Sequence, residues 1–273
     1  IKTLFILSVL LCLYFINNNM SIEKNNGNLS YKLCNEKQIN PFIRDILKKN
    51  NINQNKINWQ IYLPRGYNNI GYELKTLQKY KDKLIFGIDG CDNIIAKDNM
   101  WKILVNYYGE QCSNIICPKT YLNTSTDILK FRNEYKKNTN YILKKYIRSQ
   151  KGLYITQKLD EILYKLKNEY VLVQEMLKNP FCIQNYKIII RIYILVICEK
   201  NNKQIYYHQN GIVYYTPNKF LESNTEFDRN ITSGHIFSDI DRPSNLEQLH
   251  TWFNINGCNW KKFRGNMHHL LHL

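Results

Sequence analysis

Glycine and proline are scarce, 11 and 6 of 273 residues, which excludes a collagen-like, fibrous or low-complexity chain. Acidic residues are also few. Against 22 Asp and Glu stand 38 Lys and Arg, a formal net charge of +16, and such an imbalance points to an anionic partner: nucleic acid, an acidic protein tail, a nucleotide or a membrane surface. The chain is equally crowded with Asn, Ile and Tyr, so a general compositional bias accounts for part of the charge, which permits binding without choosing the partner. None of the eight cysteines forms a C-x-x-C pair, which removes the zinc-ribbon class. Reduced, mostly buried thiols are expected, in keeping with a cytoplasmic setting. No Walker loop and no G-x-G-x-x-G is present. No recognisable DNA- or RNA-binding motif accompanies the charge, which disfavours nucleic acid.

Long hydrophobic runs are missing too. Leu4 to Ile16 is apolar without interruption, yet falls short of the roughly 18–20 residues that cross a bilayer as a helix. It suits a signal-peptide core or a short membrane anchor, although Asn17, Asn18 and Asn19 offer no small-residue cleavage site. The first methionine is Met20, so either the start is truncated or Met20 opens the functional polypeptide; both readings stand. Residues 1–20 are set apart as an apolar, signal-like or anchor-like segment and 21–57 as a polar tail leading into a helix near Pro41. Residues 58–140 are read as an N-terminal and central lobe and 141–273 as the region that carries the chemistry. With 44% hydrophobic residues the chain has enough material for a real core.

Periodicity outlines the elements. Helical spacing is read over 71–84, over 97–109 with Gly109 as its C-cap, over 126–138 with Thr126 or Asp127 as its cap, and over 157–168, where Leu159, Ile162, Leu163 and Leu166 share one face. Strand character is read at 84–90, at 115–122, at 170–177 and along the β-branched run 186–198. Asn210-Gly211 between 205 and 216 is the strongest local hairpin signal. Helices and strands in this order imply an α+β fold with a mostly antiparallel sheet.

Two features carry candidate chemistry. In the 186–198 run, alternation sets Lys187, Ile189, Arg191 and Tyr193 on one face and Ile188, Ile190, Ile192 and Ile194 on the other. Unpaired burial of two cations costs several kcal/mol each, so that face meets water, carboxylates or an anionic ligand. The stretch "YILKKYIRSQKGLYI" (141–155) poses the same question. Its strand-borne Lys144 and a basic loop with Arg148 and Gly152 form a workable phosphate cradle, or else a charged spacer.

The order of the pieces adds specificity. "YILKK" (141–145) looks like a Trp-Ile-x-Lys-Pro motif, "VQEMLKNP" (173–180) like Val-Gln-x-Tyr-Ile-x-x-Pro, and "KIIIR" (187–191) like Lys-Phe-Asp-x-Arg. "QNGIVYY" is similar to an Asp-Gly-x-x-Arg hairpin and "NITSG" (230–234) to His-Leu-Thr-Asn, while "KDNMWKIL" and "CPKTYL" match the lead-in helix and a Pro-x-Thr-Tyr strand. Taken in order from about residue 58 to the end, the series resembles the tubulin-tyrosine ligase family, whose catalytic domain is an ATP-grasp fold.

The resemblance implies an ATP-dependent ligase that forms an amide bond between an amino acid, of the tyrosine or glutamate type, and a protein carboxylate through an acyl phosphate. Its implied partners are ATP, Mg²⁺ and an acidic protein substrate such as a tubulin C-terminal tail, for which a basic groove is apt. Carried over by position, Lys144 and Lys187 hold ATP phosphates, residues Gln174, Glu175, Met176 and Leu177 hold adenine, and Arg191 is the catalytic residue that neutralises charge on the γ-phosphate or acyl phosphate. The chain departs from the pattern at Ile189, where the family has Asp, at Tyr214, where it has Arg, and at Lys145, where it has Pro. The C-terminal Asp and Glu-x-Asn that bind Mg²⁺ have no counterpart; Glu222 and Asn224 show the spacing but stand before the Thr segment rather than after it. No metal ligand is therefore assigned, the metal-binding strand is expected to be missing, and a catalytically inactive nucleotide-binding or acidic-tail-binding module is the alternative.

Overall fold

A computed structural model describes residues 29–34, 39, 41–64, 70–77, 79–80, 83–88, 90, 93, 96–146, 152–199, 202–222, 224–232, 236–237 and 241–271. The chain divides into two compact units, one within Cys12–Ile94 with Val196–Gln204, the other built from Ile95–Leu195 with Ile205–Leu273.

The first unit holds β1 (Ser30–Leu33), α1 (Pro41–Lys49), β2 (Asn53–Gln54), β3 (Ile61–Leu63), α2 (Ile70–Leu77) and β4 (Leu84–Ile85). Its sheet runs in the order β2-β1-β3-β4, with all pairs parallel, as strands linked through helices require. Tyr31, Leu47 and Leu63 form one small core and Trp59, Tyr62 and Leu77 another. The stretch read as a polar tail thus contributes two strands, β1 and β2, as well as the helix near Pro41, and the helix read to residue 84 ends at Leu77.

The second unit begins with α3 (Lys97–Ile116), β5 (Thr120–Leu122), α4 (Ser125–Glu134), β6 (Tyr141–Lys144), β7 (Leu153–Thr156), α5 (Leu159–Asn168) and β8 (Leu172–Glu175). These strands form an antiparallel sheet in the order β5-β8-β6-β7. One core against it gathers Phe131, Tyr141, Leu143, Ile162, Leu166 and Val173; Trp101, Leu122, Val171 and Leu172 make a second. Strand β8 feeds both, through Val173 and Leu172, and on β6 Ile142 is buried on the face opposite Tyr141 and Leu143, which is why "YIL" and "YVLV" read as continuous apolar runs rather than alternating ones.

Helix α3 does not stop at Gly109. That residue adopts φ 71° and ψ 164°, a conformation that glycine alone takes readily, and the chain kinks there and resumes to Ile116. Ser113 Oγ donates to the Gly109 carbonyl at 2.7 Å, recovering an acceptor that the kink frees. Residues 115–116, read as strand, are therefore helical, and the strand is limited to β5. The cap of α4 is Thr124, whose hydroxyl accepts from the Asp127 amide at 3.2 Å, while the Asp127 carboxylate accepts from the Leu122 amide at 2.7 Å.

The remaining elements along the chain are β9 (Cys182–Ile183), β10 (Tyr186–Arg191), β11 (Ile194–Glu199), β12 (Asn202–Tyr207), β13 (Ile212–Tyr215), the short α6 (Phe227–Asn230), α7 (Leu246–Ile255) and α8 (Trp260–Leu271); Val196–Gln204 of β11 and β12 falls in the first unit and the rest in the second. A three-stranded antiparallel sheet runs β13-β10-β9, and β11 pairs with β12. Ile188, Ile190 and Ile192 are buried with Val213, Tyr215, Leu249, Phe253 and Phe263, as the alternation in the β-branched run anticipates. The helices and antiparallel sheets of this unit match the expected α+β class.

The turn signals were misleading in one place and silent in another. Asn210-Gly211 does not close a hairpin: β12 pairs with β11 and β13 with β10, and neither residue has the positive φ that a two-residue turn of this type needs. Asn210 Oδ1 instead accepts from the Gly211 and Leu246 amides at 3.0 and 2.9 Å. Gly211 is required by crowding, since a Cβ there would lie 2.5 Å from the Arg191 carbonyl oxygen. The tight hairpin is at Gln184-Asn185, with φ 50° and 68°, between β9 and β10.

The six described cysteines, Cys34, Cys112, Cys117, Cys182, Cys198 and Cys258, are free, and none is fully buried; the mostly buried thiols expected from sequence are not found among them. Among the described residues, no helix is long and apolar enough to cross a membrane. The apolar segment 4–16 lies outside the described residues.

Candidate functional site

Lys144 ends β6, where it pairs in register with Leu172 of β8 and Leu153 of β7. Its ammonium donates to Gln174 Oε1 at 2.7 Å. Lys187 lies in β10 opposite Cys182 and donates to the Asn230 carbonyl at 3.0 Å. Both side chains are partly covered along their length, yet their ammonium ends lie deep enough for desolvation to dominate. Burial is the leading cause that brings each down to about 8 from an ordinary 10.5; at Lys144 the nearby positive charges of Lys97 and Lys187 act in the same direction. Neither lysine has a carboxylate within ion-pair distance among the described residues, whose ion pairs all lie elsewhere.

Lys97, at the start of α3, is a third member that the sequence reading left out. Its ammonium donates to the Lys145 carbonyl at 3.0 Å, and burial lowers its pKa. Cys117 and Cys182 complete the surroundings. Burial raises both thiols, while the charges of Lys144 on Cys117 and Lys187 on Cys182 oppose that rise. The three amines concentrate positive charge here, the electrostatic opposite of a cation site.

Gly152 is buried immediately before β7, and its carbonyl accepts from the Lys145 amide at 2.8 Å, which ties the ends of β6 and β7 together. Arg148 lies outside the described residues. Arg191 shares the Lys187 face of β10; its guanidinium donates to the Tyr214 hydroxyl at 3.1 Å and lies 4.7 Å from that ring's centroid. Tyr214 thus sits beneath Arg191 as an aromatic support.

Gln174 does not stand alone on β8. Besides accepting from Lys144, its amide nitrogen donates to Thr120 Oγ1 at 2.7 Å and to the Pro118 carbonyl at 3.3 Å. Glu175 pairs with Lys136, its two oxygens 3.2 and 3.3 Å from the ammonium. Met176 and Leu177 line a cavity of about 180 Å³ with Thr139, Asn140, Glu222 and Asn230. The buried Asn230 donates to the carbonyls of Asn224 and Glu226 at 2.7 and 2.9 Å, which fixes the backbone that meets Lys187.

A scan against protein families matches residues 75–237 to the Tubulin-tyrosine ligase family. The chain belongs to the tubulin-tyrosine ligase family. Lys97, Lys144, Gln174, Lys187 and Arg191 all fall inside the matched stretch, which covers more than half of the chain. No curated protein matches it. Membership in the tubulin-tyrosine ligase family brings ATP-dependent ligase chemistry in general, usually with Mg²⁺, and a protein substrate.

Magnesium demands oxygen ligands in near-octahedral array, and among the described residues no three His, Cys, Asp or Glu side chains come together. Glu175 is taken by Lys136. The Asn224 side-chain oxygen accepts from the Glu226 amide at 2.6 Å, so the Glu222–Asn224 spacing does not build a metal pair. The described residues gathered here are cations and amides, and they do not fit a magnesium ion.

Proposed function

We propose that the chain is an ATP-grasp ligase that joins an amino acid to a carboxylate of an acidic protein through an acyl phosphate, in the region 141–273 backed by the lobe 58–140. In this reading Lys144 and Lys187 grip the phosphates as desolvated point charges. The 174–177 segment borders the adenine end of the nucleotide, where Met176 and Leu177 line the cavity beside Asn230. Arg191, held on the Tyr214 ring, neutralises the charge that develops on the transferred phosphoryl group, and electrostatic help of this kind is usually the largest catalytic contribution in phosphoryl transfer. The loop carrying Arg148 and closed by Gly152 adds further donors. Attack of the acceptor carboxylate on the γ-phosphorus releases ADP; the incoming amine then displaces phosphate to form the amide. The +16 charge suits an acidic tail, tubulin's among them, and ATP with reduced thiols suits the cytoplasm.

The observation that carries this reading is the pair Lys144 and Lys187: two desolvated amines within each other's field and without a carboxylate partner among the described residues. Such an arrangement costs free energy until an anion arrives.

A second reading rests on Ile189 and Tyr214, which stand where the family carries Asp and Arg, and on the lack of a carboxylate cluster among the described residues. It makes the chain a nucleotide-binding module without ligase activity. Both readings require ATP to raise the melting temperature, since a ligand that binds only the folded protein stabilises it, and require Lys187→Ala to abolish that rise. A nucleic-acid-binding protein shows no such rise, and that result rejects both. Incorporation of labelled tyrosine or glutamate into tubulin then separates ligase from module.

A further inference from the structure

Gln174 sits in the segment assigned above to adenine, but both ends of its side chain are hydrogen-bonded elsewhere. Thr120 lies directly opposite it across β5 and β8, and Ile142 is its partner on β6. Lys144 is two residues along β6 from Ile142 and therefore on the same face. The carboxamide bridges the two strands: Nε2 donates to Thr120 Oγ1 at 2.7 Å and to the Pro118 carbonyl at 3.3 Å, and Oε1 accepts from Lys144 Nζ at 2.7 Å. Thr120 Oγ1 donates onward to the same Pro118 carbonyl at 2.7 Å.

The amide can point only one way. A carbonyl oxygen has no proton to give and an ammonium has no lone pair to offer, so a flipped amide would set oxygen against the Pro118 oxygen and NH₂ against the Lys144 ammonium. The result is a directed chain from Lys144 through Gln174 and Thr120 to Pro118, in which each bond polarises the next. Every one of these groups is uncharged except the lysine. A neutral acceptor fixes where the ammonium sits and leaves its charge and its remaining protons available; a carboxylate at the same place would consume the charge. The other titratable groups facing Lys144 are Lys97, Lys187 and Cys117, and none of them supplies that anchor.

We propose that Gln174 is a positioning residue for the phosphate lysine, acting through the Thr120–Gln174–Lys144 relay, and that its side chain does not read the nucleotide base. The proposal rests on the ATP reading for its consequence in binding, while the relay itself is testable without any nucleotide.

The experiment compares the intact chain with Gln174→Glu, Gln174→Ala, Thr120→Val and Thr120→Ser, using ATP, GTP and inorganic tripolyphosphate as probes. It also follows the Lys144 side-chain resonance in ¹³C-lysine-labelled protein, assigned with Lys144→Arg. Gln174→Ala is expected to weaken ATP, GTP and tripolyphosphate alike, each by roughly tenfold. Gln174→Glu pairs with the ammonium and moves the Lys144 titration midpoint upward by about one pH unit or more. Thr120→Val weakens all three probes by a smaller factor and Thr120→Ser restores them, so the proposal does not depend on one variant folding.

If Gln174→Ala spares tripolyphosphate while weakening ATP, or changes the ratio of ATP to GTP affinity, the residue reads the base and the proposal is overturned. If the wild-type chain binds none of the probes, the ATP reading falls, and the resonance alone decides: an upward shift in Gln174→Glu upholds the relay, and an unmoved midpoint rejects it.

Discussion

Lys144 and Lys187 stand in similar electrostatic surroundings on different sheets and are anchored by unlike partners. On the four-stranded sheet, Tyr141, Ile142 and Leu143 bury both faces of β6, and Lys144 is held by a side chain, the Gln174 amide. On the three-stranded sheet, β10 buries only its isoleucine face, and Lys187 is held by a backbone carbonyl whose position depends on the Asn230 side chain. A side-chain anchor is set by one residue's identity and can be exchanged by one substitution. A backbone anchor is a property of the whole 224–230 turn and yields only when that turn is disturbed.

The largest effect is expected on removing either ammonium while keeping its stem. Lys144→Met and Lys187→Met should each lower ATP affinity by about a hundredfold, a loss near 2.7 kcal/mol. The same substitutions should stabilise the ligand-free protein by about 1–2 kcal/mol, because an apolar group replaces a desolvated charge. Urea unfolding with and without ATP reads both. A lysine that merely decorates a solvated sheet face would show neither effect, so the opposed signs separate a functional cation from a surface one.

Proton linkage should show the same lysines acting together. Their pKa falls from 10.5 to about 8 on folding, so between pH 8 and 10.5 the unfolded chain binds more protons than the folded one. Stability of the free protein should therefore rise with pH across that window, and below pH 8, where both states are protonated, these two groups should add no further slope. ATP binding should run the other way and weaken above pH 8, by roughly tenfold per pH unit for each lysine that must regain its proton. Calorimetric titration at pH 7.5 and 9.5, with proton uptake on binding measured in two buffers, tests this.

Gly211→Ala probes the three-stranded sheet where β13 meets β10. A methyl 2.5 Å from the Arg191 carbonyl oxygen meets backbone, which cannot swing aside, so the strand pair must part. A loss of about 1–3 kcal/mol is expected, with weaker ATP binding because Arg191 and the Lys187 strand move together. Unchanged stability would show that β13 is looser than its register implies.

Much of this arrangement was legible in the sequence because strands report their faces. The alternation 187, 189, 191 against 188, 190, 192 places two cations on one side with no structural information, and the order of motifs points to the family. The rest was hidden for local reasons. Lys97 reads as an ordinary surface residue in a lysine-rich helix start, and only the packing of α3 brings it to the Lys145 carbonyl. Gln174 was read by its position in a motif, and its hydrogen bond to Thr120, 54 residues away, is one that no local pattern reports. The Gln184-Asn185 hairpin lacks the glycine that makes such turns recognisable, and Asn210-Gly211, which has it, is held by a carboxamide and by crowding instead.

The smallest effect belongs to the base of the loop that follows Lys144. Tyr146 donates to Asp98 Oδ2 at 2.9 Å, and Lys102 donates to the same oxygen at 3.2 Å. Burial acts to raise the Asp98 carboxyl, but these two hydrogen bonds with local backbone help outweigh it and hold the group below its ordinary range. Asp98 Oδ1 is buried without a partner, so the carboxylate depends on the contacts that Oδ2 makes. Tyr146→Phe removes one donor and keeps the ring, and it should cost about 1 kcal/mol at neutral pH. The sign of its pH dependence is fixed: a depressed carboxyl contributes stability above its unfolded pKa and loses it as the pH falls through its folded one. The difference between wild type and Tyr146→Phe should therefore shrink under acid. Because Lys97 of the same helical turn ties the Lys145 carbonyl, the variant should change ATP affinity far less than any substitution at Lys144. An equally large loss in the two would mean that the loop base, and not the Gln174 amide, sets the position of that lysine.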